Sequence, residues 1–131
     1  MLSRFLKLSF LVSGALAVPL EGKVEKRSCP SIHVFGARGT TEPAGYGASI
    51  TVVNEVLNAY PGSTAEAINY PACGGQSSCG GASYSSSVAQ GIAAVASAVN
   101  NFHSECPQTQ LVLTGYSQAS STHLPLNNTQ L

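Results

Sequence analysis

The 131-residue sequence contains no aspartate and no tryptophan, and only 9% of it is charged. Without aspartate, every side-chain carboxylate must come from one of six glutamates. Without tryptophan, and with 7% aromatic residues in all, a surface of stacked rings for gripping sugars has little to build on. A long apolar run is missing too. The N-terminal one spans Leu8 to Leu16, too short to cross a bilayer. Five of the six basic residues precede Ser28, and Arg38 alone follows, against Glu42, Glu55, Glu66 and Glu105. From Ser28 onward the formal charge is therefore −3, which excludes a basic footprint for nucleic acid and a polybasic membrane patch.

Arg4 and Lys7 flank the start of the apolar run, and Ala15-Leu16-Ala17 closes it as a small-x-small cleavage signal. These three parts predict a secretory signal peptide over residues 1–17. The charged segment after it ends in the dibasic pair Lys26-Arg27. Residues 18–27 are thus predicted to be a propeptide, with a mature start at Ser28 and an extracellular destination. Cys29, Cys73, Cys79 and Cys106 all fall in the mature part. An even count in an oxidising compartment points to disulfides, with three connectivities open. Spacing favours Cys73 with Cys79, across a loop rich in glycine, which leaves Cys29 for Cys106. A zinc site is the rival reading, but no ligand pair has finger-like spacing. No metal or cofactor is expected.

Ile32 to Phe35 reads as a buried strand and Ala37 to Ala48 as a loop. Val52, Val53, Val56, Leu57 and Tyr60 then recur at helical spacing until Pro61-Gly62. Ala65 to Tyr70 reads as a second strand, and Pro71 to Ser83 as a Gly/Ser loop. Val88, Ile92, Val95, Val99 and Phe102 form one helical stripe from about Tyr84 to His103. Gln110 to Tyr116 reads as a third strand. This alternation, with strands apolar throughout, predicts an α/β domain: a parallel sheet with flanking helices.

The third strand runs into Gly115-Tyr116-Ser117-Gln118-Ala119. A Gly-x-Ser-x-small sequence after a strand is the pattern of a nucleophile elbow, in which small neighbours let a serine oxygen project from a tight turn. The loop after the first strand, with Thr40 in it, is topologically placed to offer a hydroxyl and an N–H to a developing oxyanion. Gln118 could supply the N–H that follows the nucleophile.

Ser28-Cys29-Pro30, Ile32 through Arg38, Thr40-Thr41, Tyr70 through Gly75 and Gly115-Tyr116-Ser117-Gln118 together resemble the secreted acetylxylan esterases of the cutinase family. Gly39 is closer to the cutinase form of its loop. The resemblance implies a small doubly wound α/β fold that removes acetyl groups from xylan. It gives Ser117 as the nucleophile, Thr40 and Gln118 as oxyanion-hole donors, and disulfides Cys29–Cys106 and Cys73–Cys79. The implied partner is acetylated xylan or a related ester, with no nucleic acid, membrane or cofactor, and a monomer is expected.

The resemblance runs over residues 28–118 and stops there. The family continues with glycines, a helix behind the nucleophile, further strands, and an Asp and a His that complete the triad. Residues 119–131 read as a divergent tail, and the triad Asp and His are absent from the chain. The expectation is a truncated form, inactive or nearly so, with an open apolar edge on the third strand. Among the histidines, His33 is expected in the core and His103 at a helix end. His123 lies close to Ser117 in sequence, with nothing to orient it. Asn127-Asn128-Thr129 matches a glycosylation sequon. The alternatives are a cutinase-like esterase or a catalytically dead, secreted polysaccharide-binding module.

Overall fold

A computed structural model describes residues 28–122. The expected signal peptide, propeptide, His123 and the sequon lie outside the described residues. Strand β1 (Ile32–Ala37), helix α1 (Ile50–Ala59), strand β2 (Thr64–Ala67), helix α2 (Tyr84–Glu105), strand β3 (Gln110–Gly115) and the short helix α3 (Gln118–Thr122) follow one another. The three strands are parallel and lie in the order β2-β1-β3. The chain therefore winds outward from β1 in one direction through β2 and then crosses to the other side for β3. Between β1 and β3 lies the point where the winding reverses, and open α/β sheets bind ligands outside the carboxyl ends of the strands at such a point.

Alternation along β1 assigns its side chains to two layers. Phe35 and Ala37 join Val95, Val99 and Phe102 of α2 in the main core, with Leu111 and Leu113 packed against it. Val34 and Gly36 face the other way, and a Cβ on Gly36 would sit 3.2 Å from Val53 Cγ2 of α1. Helices thus cover both faces, as the apolar strands require. His33 belongs to the core. It stacks on Phe102 at 3.9 Å between centroids, and its Nδ1 lies 2.6 Å from Thr64 Oγ1.

The helical stripes differ from the sequence reading in one consistent way. On α2 the buried line is Ser87, Gly91, Val95, Val99 and Phe102, while Val88 and Ile92 are only half-buried. The cause is crowding at the N-terminal half of α2. A Cβ on Gly91 would lie 2.5 Å from Thr122 Cγ2 and 2.9 Å from Tyr70 Cδ2, so only a residue without one fits. On α1 Val53 is buried, whereas Val52 remains 42% and Tyr60 56% exposed.

Among the described residues β3 is paired on its β1 side alone, and Leu111, Val112 and Leu113 are half-buried. Its last residues lead into α3, where Ala119 and Thr122 are buried, so a first turn of helix behind the elbow is present. The Cys29–Cys106 disulfide joins the start of the domain to the end of α2, over a separation of 77 residues. Closing a loop that long stabilises by roughly 4–5 kcal/mol in the chain-entropy account.

Candidate active site at the carboxyl ends of the strands

The register sets the site. Ala37 pairs with Gly115, so the loop leaving β1 and the turn leaving β3 emerge side by side at the winding reversal. A Cβ on Gly39 would be 3.5 Å from the carbonyl oxygen of Tyr116. Ser117 follows that carbonyl. It is exposed, and its φ is +58°, in the left-handed region that side chains other than glycine rarely enter. The Ala119 N–H donates to Tyr116 O at 3.2 Å and the Ser120 N–H to Ser117 O at 3.0 Å, which tightens the turn. Ala119 is fully buried beneath it. A small residue is needed there, and alanine meets that need in place of glycine.

Two further non-glycine residues adopt positive φ, Thr41 at +63° and Ala72 at +50°. Thr41 follows β1 and Ala72 follows β2, and the Thr41 N–H donates to Ala72 O at 2.7 Å. Each such conformation costs on the order of 1–3 kcal/mol and persists where surrounding structure imposes it. All three described instances cluster at the carboxyl ends of the strands. Strained residues tend to gather at functional sites, which makes this end of the sheet the candidate site.

The loop after β1 is braced from within. The Glu42 carboxylate accepts from the Gly39 N–H and, at 3.1 Å, from the Ala48 N–H. Gly47 adopts φ +55° and a Cβ there would fall 2.0 Å from Glu42 Oε2, so glycine alone lets the carboxylate reach its donors. Arg38 Nη2 donates to Tyr70 O at 2.6 Å, and the Tyr70 hydroxyl donates back to Arg38 O. Burial pushes the Tyr70 hydroxyl pKa up. The Arg38 cation opposes this rise, and Tyr84 and Glu42 add to it.

Thr40 and Gln118 approach one dipeptide, Cys73-Gly74, from two sides. Thr40 Cγ2 would be 3.5 Å from a Cβ on Gly74, and Gln118 Nε2 donates to Cys73 O at 2.9 Å. Cys73 and Cys79 are disulfide-bonded, so this loop is itself tied. With Cys29–Cys106 also formed, all four cysteines are consumed and the zinc reading lapses. Ser87 was not anticipated from sequence. It donates to Gln118 Oε1 at 2.8 Å and accepts from the Cys73 N–H at 3.0 Å. One signal existed: a polar residue on the apolar line of α2, four before Gly91.

The described histidines stand at the opposite pole. His33 pairs with Leu111, four residues before Gly115, which puts it roughly 13 Å down the sheet. His103 lies in the last turn of α2, and α2 runs away from the site, from Ser87 beside Gln118 to Cys106 beside Cys29. Neither can take a proton from Ser117.

The family model described as Cutinase matches residues 28–124. The chain belongs to the cutinase family. It is 77% identical over 116 residues to acetylxylan esterase 2 of Talaromyces purpureogenus, covering 88% of this chain and 50% of that protein. To cutinase 11 of Verticillium dahliae it is 64% identical over 110 residues, 84% of this chain and 37% of the relative. The acetylxylan esterase of Hypocrea jecorina is 59% identical over 120 residues, covering 91% and 39%. Among solved structures, an acetylxylan esterase superimposes with a TM-score of 0.72 at 78% identity, over 73% of this chain and 46% of that one. The catalytic core domain of acetyl xylan esterase from Trichoderma reesei gives 0.72 at 64% identity, over 73% and 47%. The cutinase-family domain therefore has the expected α/β hydrolase fold, and the chain spans about half the length of these relatives or less. Among the described residues no helix is long and apolar enough to cross a membrane.

Proposed function

We propose that this chain carries the nucleophile-bearing half of a secreted serine carboxylesterase that removes acetyl groups from xylan. The observation that carries the reading is Ser117: exposed, held at positive φ, at the winding reversal of the sheet and immediately before Gln118. The names of the relatives at 77% and 59% identity support acetylated xylan as the substrate class. The two disulfides suit the oxidising route that the predicted signal peptide implies.

In the complete reaction Ser117 Oγ attacks the acetyl carbonyl while a histidine takes its proton, and the sugar alkoxide leaves with that proton. The carbonyl oxygen becomes an oxyanion, which the Thr40 hydroxyl and N–H and the Gln118 N–H stabilise. Water, deprotonated by the same histidine, then attacks the acetyl-serine, releasing acetate and restoring the hydroxyl. No aspartate occurs in these 131 residues, and the described histidines lie at the far pole. A polypeptide of this sequence is accordingly expected to hydrolyse acetyl esters on the order of 10⁶ times more slowly than an intact triad, the loss seen when triad members are removed.

The test is hydrolysis of p-nitrophenyl acetate with imidazole supplied as a dissolved base. The expected result is an imidazole-dependent rate above that of imidazole alone, absent in Ser117→Ala. Equal rates for both proteins would remove Ser117 from the role of nucleophile.

A further inference from the structure

We infer that Ser87 is a positioning residue for the oxyanion site, acting through Gln118; the inference rests on the esterase reading above. Three hydrogen bonds close a ring. The Cys73 N–H donates to Ser87 Oγ at 3.0 Å, Ser87 Oγ donates to Gln118 Oε1 at 2.8 Å, and Gln118 Nε2 donates to Cys73 O at 2.9 Å. Ser87, Gln118 and Cys73 are each 0% exposed. The ring joins three separate pieces of chain: the disulfide-tied loop after β2, the first turn of α2 and the first residue of α3.

Its chemistry is directional. A serine hydroxyl has one proton, and the Cys73 N–H can only donate, so Ser87 accepts from it and spends its own proton on Gln118 Oε1. That fixes the Gln118 amide with Nε2 toward Cys73 O. No other orientation satisfies all three groups. Gln118 is also the residue whose backbone N–H faces the oxyanion in the proposed reaction. Its α3 is only five residues long and has little rigidity of its own. With the side chain held at both ends and buried, the backbone of the first turn cannot rotate, and the N–H keeps its aim. A donor that drifts by about 1 Å can lose on the order of 10²-fold in rate.

A steric role for Ser87 would be served equally by alanine, so the test separates the two. Backbone and side-chain amide NMR is recorded on the disulfide-bonded chain and on Ser87→Ala, Ser87→Thr and Val95→Ala. The ring predicts that Ser87→Ala moves the Gln118 backbone amide resonance and speeds exchange of its Nε2 protons. Ser87→Thr, which keeps the hydroxyl, restores both, and Val95→Ala, a core change away from the ring, moves neither. In imidazole-assisted hydrolysis of p-nitrophenyl acetate, Ser87→Ala lowers the Ser117-dependent kcat about 10–100-fold with KM unchanged. Unmoved Gln118 resonances in Ser87→Ala overturn the inference, as does an unchanged Ser117-dependent kcat. If Ser117→Ala does not lower the wild-type rate, the esterase reading fails instead, and the Gln118 resonances alone decide the ring.

Discussion

Ser87 Oγ lies 2.8 Å from Gln118 Oε1, although 31 residues separate them in the chain. Removing that hydroxyl strands two buried groups, the Cys73 N–H and the Gln118 carbonyl. An unsatisfied buried polar group costs about 1–3 kcal/mol. Ser87→Ala is expected to lower unfolding free energy by about 2–4 kcal/mol in urea titration, while Ser85→Ala, on the exposed side of the same turn, changes it by less than about 0.5 kcal/mol. Equal midpoints for the two variants would mean that the ring contributes nothing to stability.

The strain at Ser117 has a stability signature of its own. Glycine tolerates φ +58° without penalty, which relieves about 1–3 kcal/mol, while its greater freedom in the unfolded chain takes back about 0.5–1 kcal/mol. Ser117→Gly is thus expected to raise stability by about 0.5–2 kcal/mol while removing the proposed nucleophile. A destabilised Ser117→Gly protein, measured by the same titration, would show that the turn is not strained.

Alkaline pH probes the Arg38–Tyr70 link. Burial raises the Tyr70 pKa above the ordinary value of 10.0, so the folded protein holds this proton more tightly than the unfolded chain does. The contribution is fully present below pH 10 and is lost as pH rises through the folded-state value. Wild type should therefore lose stability above pH 10. Tyr70→Phe, which cannot ionise, should show a flatter decline there, from a neutral-pH stability lower by about 0.5–1.5 kcal/mol for the lost hydrogen bond. Some decline should persist, because the Tyr46 pKa is raised as well, by burial first and by Glu66 second. Parallel curves for wild type and Tyr70→Phe would contradict the assignment.

The two disulfides should fail differently. Cys29–Cys106 closes 77 residues and Cys73–Cys79 only six, giving roughly 4–5 and about 2 kcal/mol in the chain-entropy account. Replacing the first pair with serines should lower the melting temperature the more. Replacing the second should chiefly speed hydrogen exchange at the backbone amide of residue 73, which the ring otherwise protects. The reverse ranking in calorimetry and exchange would count against this division of labour.

The sequence made the alternation of strands and helices legible because each element announces itself locally, by periodicity and by Pro61-Gly62 or Gly115 at its end. The tight turn at Ser117 was legible for the same reason: Gly115 to Ala119 is a contiguous pattern. The bracing of the site was not. Ser87, Cys73 and Gln118 meet only after the sheet has formed. Thr41 and Ala72 are residue types that give no sign of positive φ. Periodicity also counted Val52 and Tyr60 toward the buried face of α1. It reports where a helix is apolar, and the described three-stranded sheet covers chiefly the Val53 line. The short helix after Ser117 was missed because residues 119–131 were read as a divergent tail, whereas the family match runs to residue 124 and Ala119 and Thr122 bury against α2.

The most direct test of the central claim is to find where an acetyl group goes. The chain and Ser117→Ala are incubated with p-nitrophenyl acetate and imidazole, digested, and mapped by mass spectrometry. Acetyl on the peptide containing Ser117, located to that residue and lost in Ser117→Ala, is the predicted result. Acetylation confined to other residues, or equal in both proteins, would contradict a serine nucleophile at this turn.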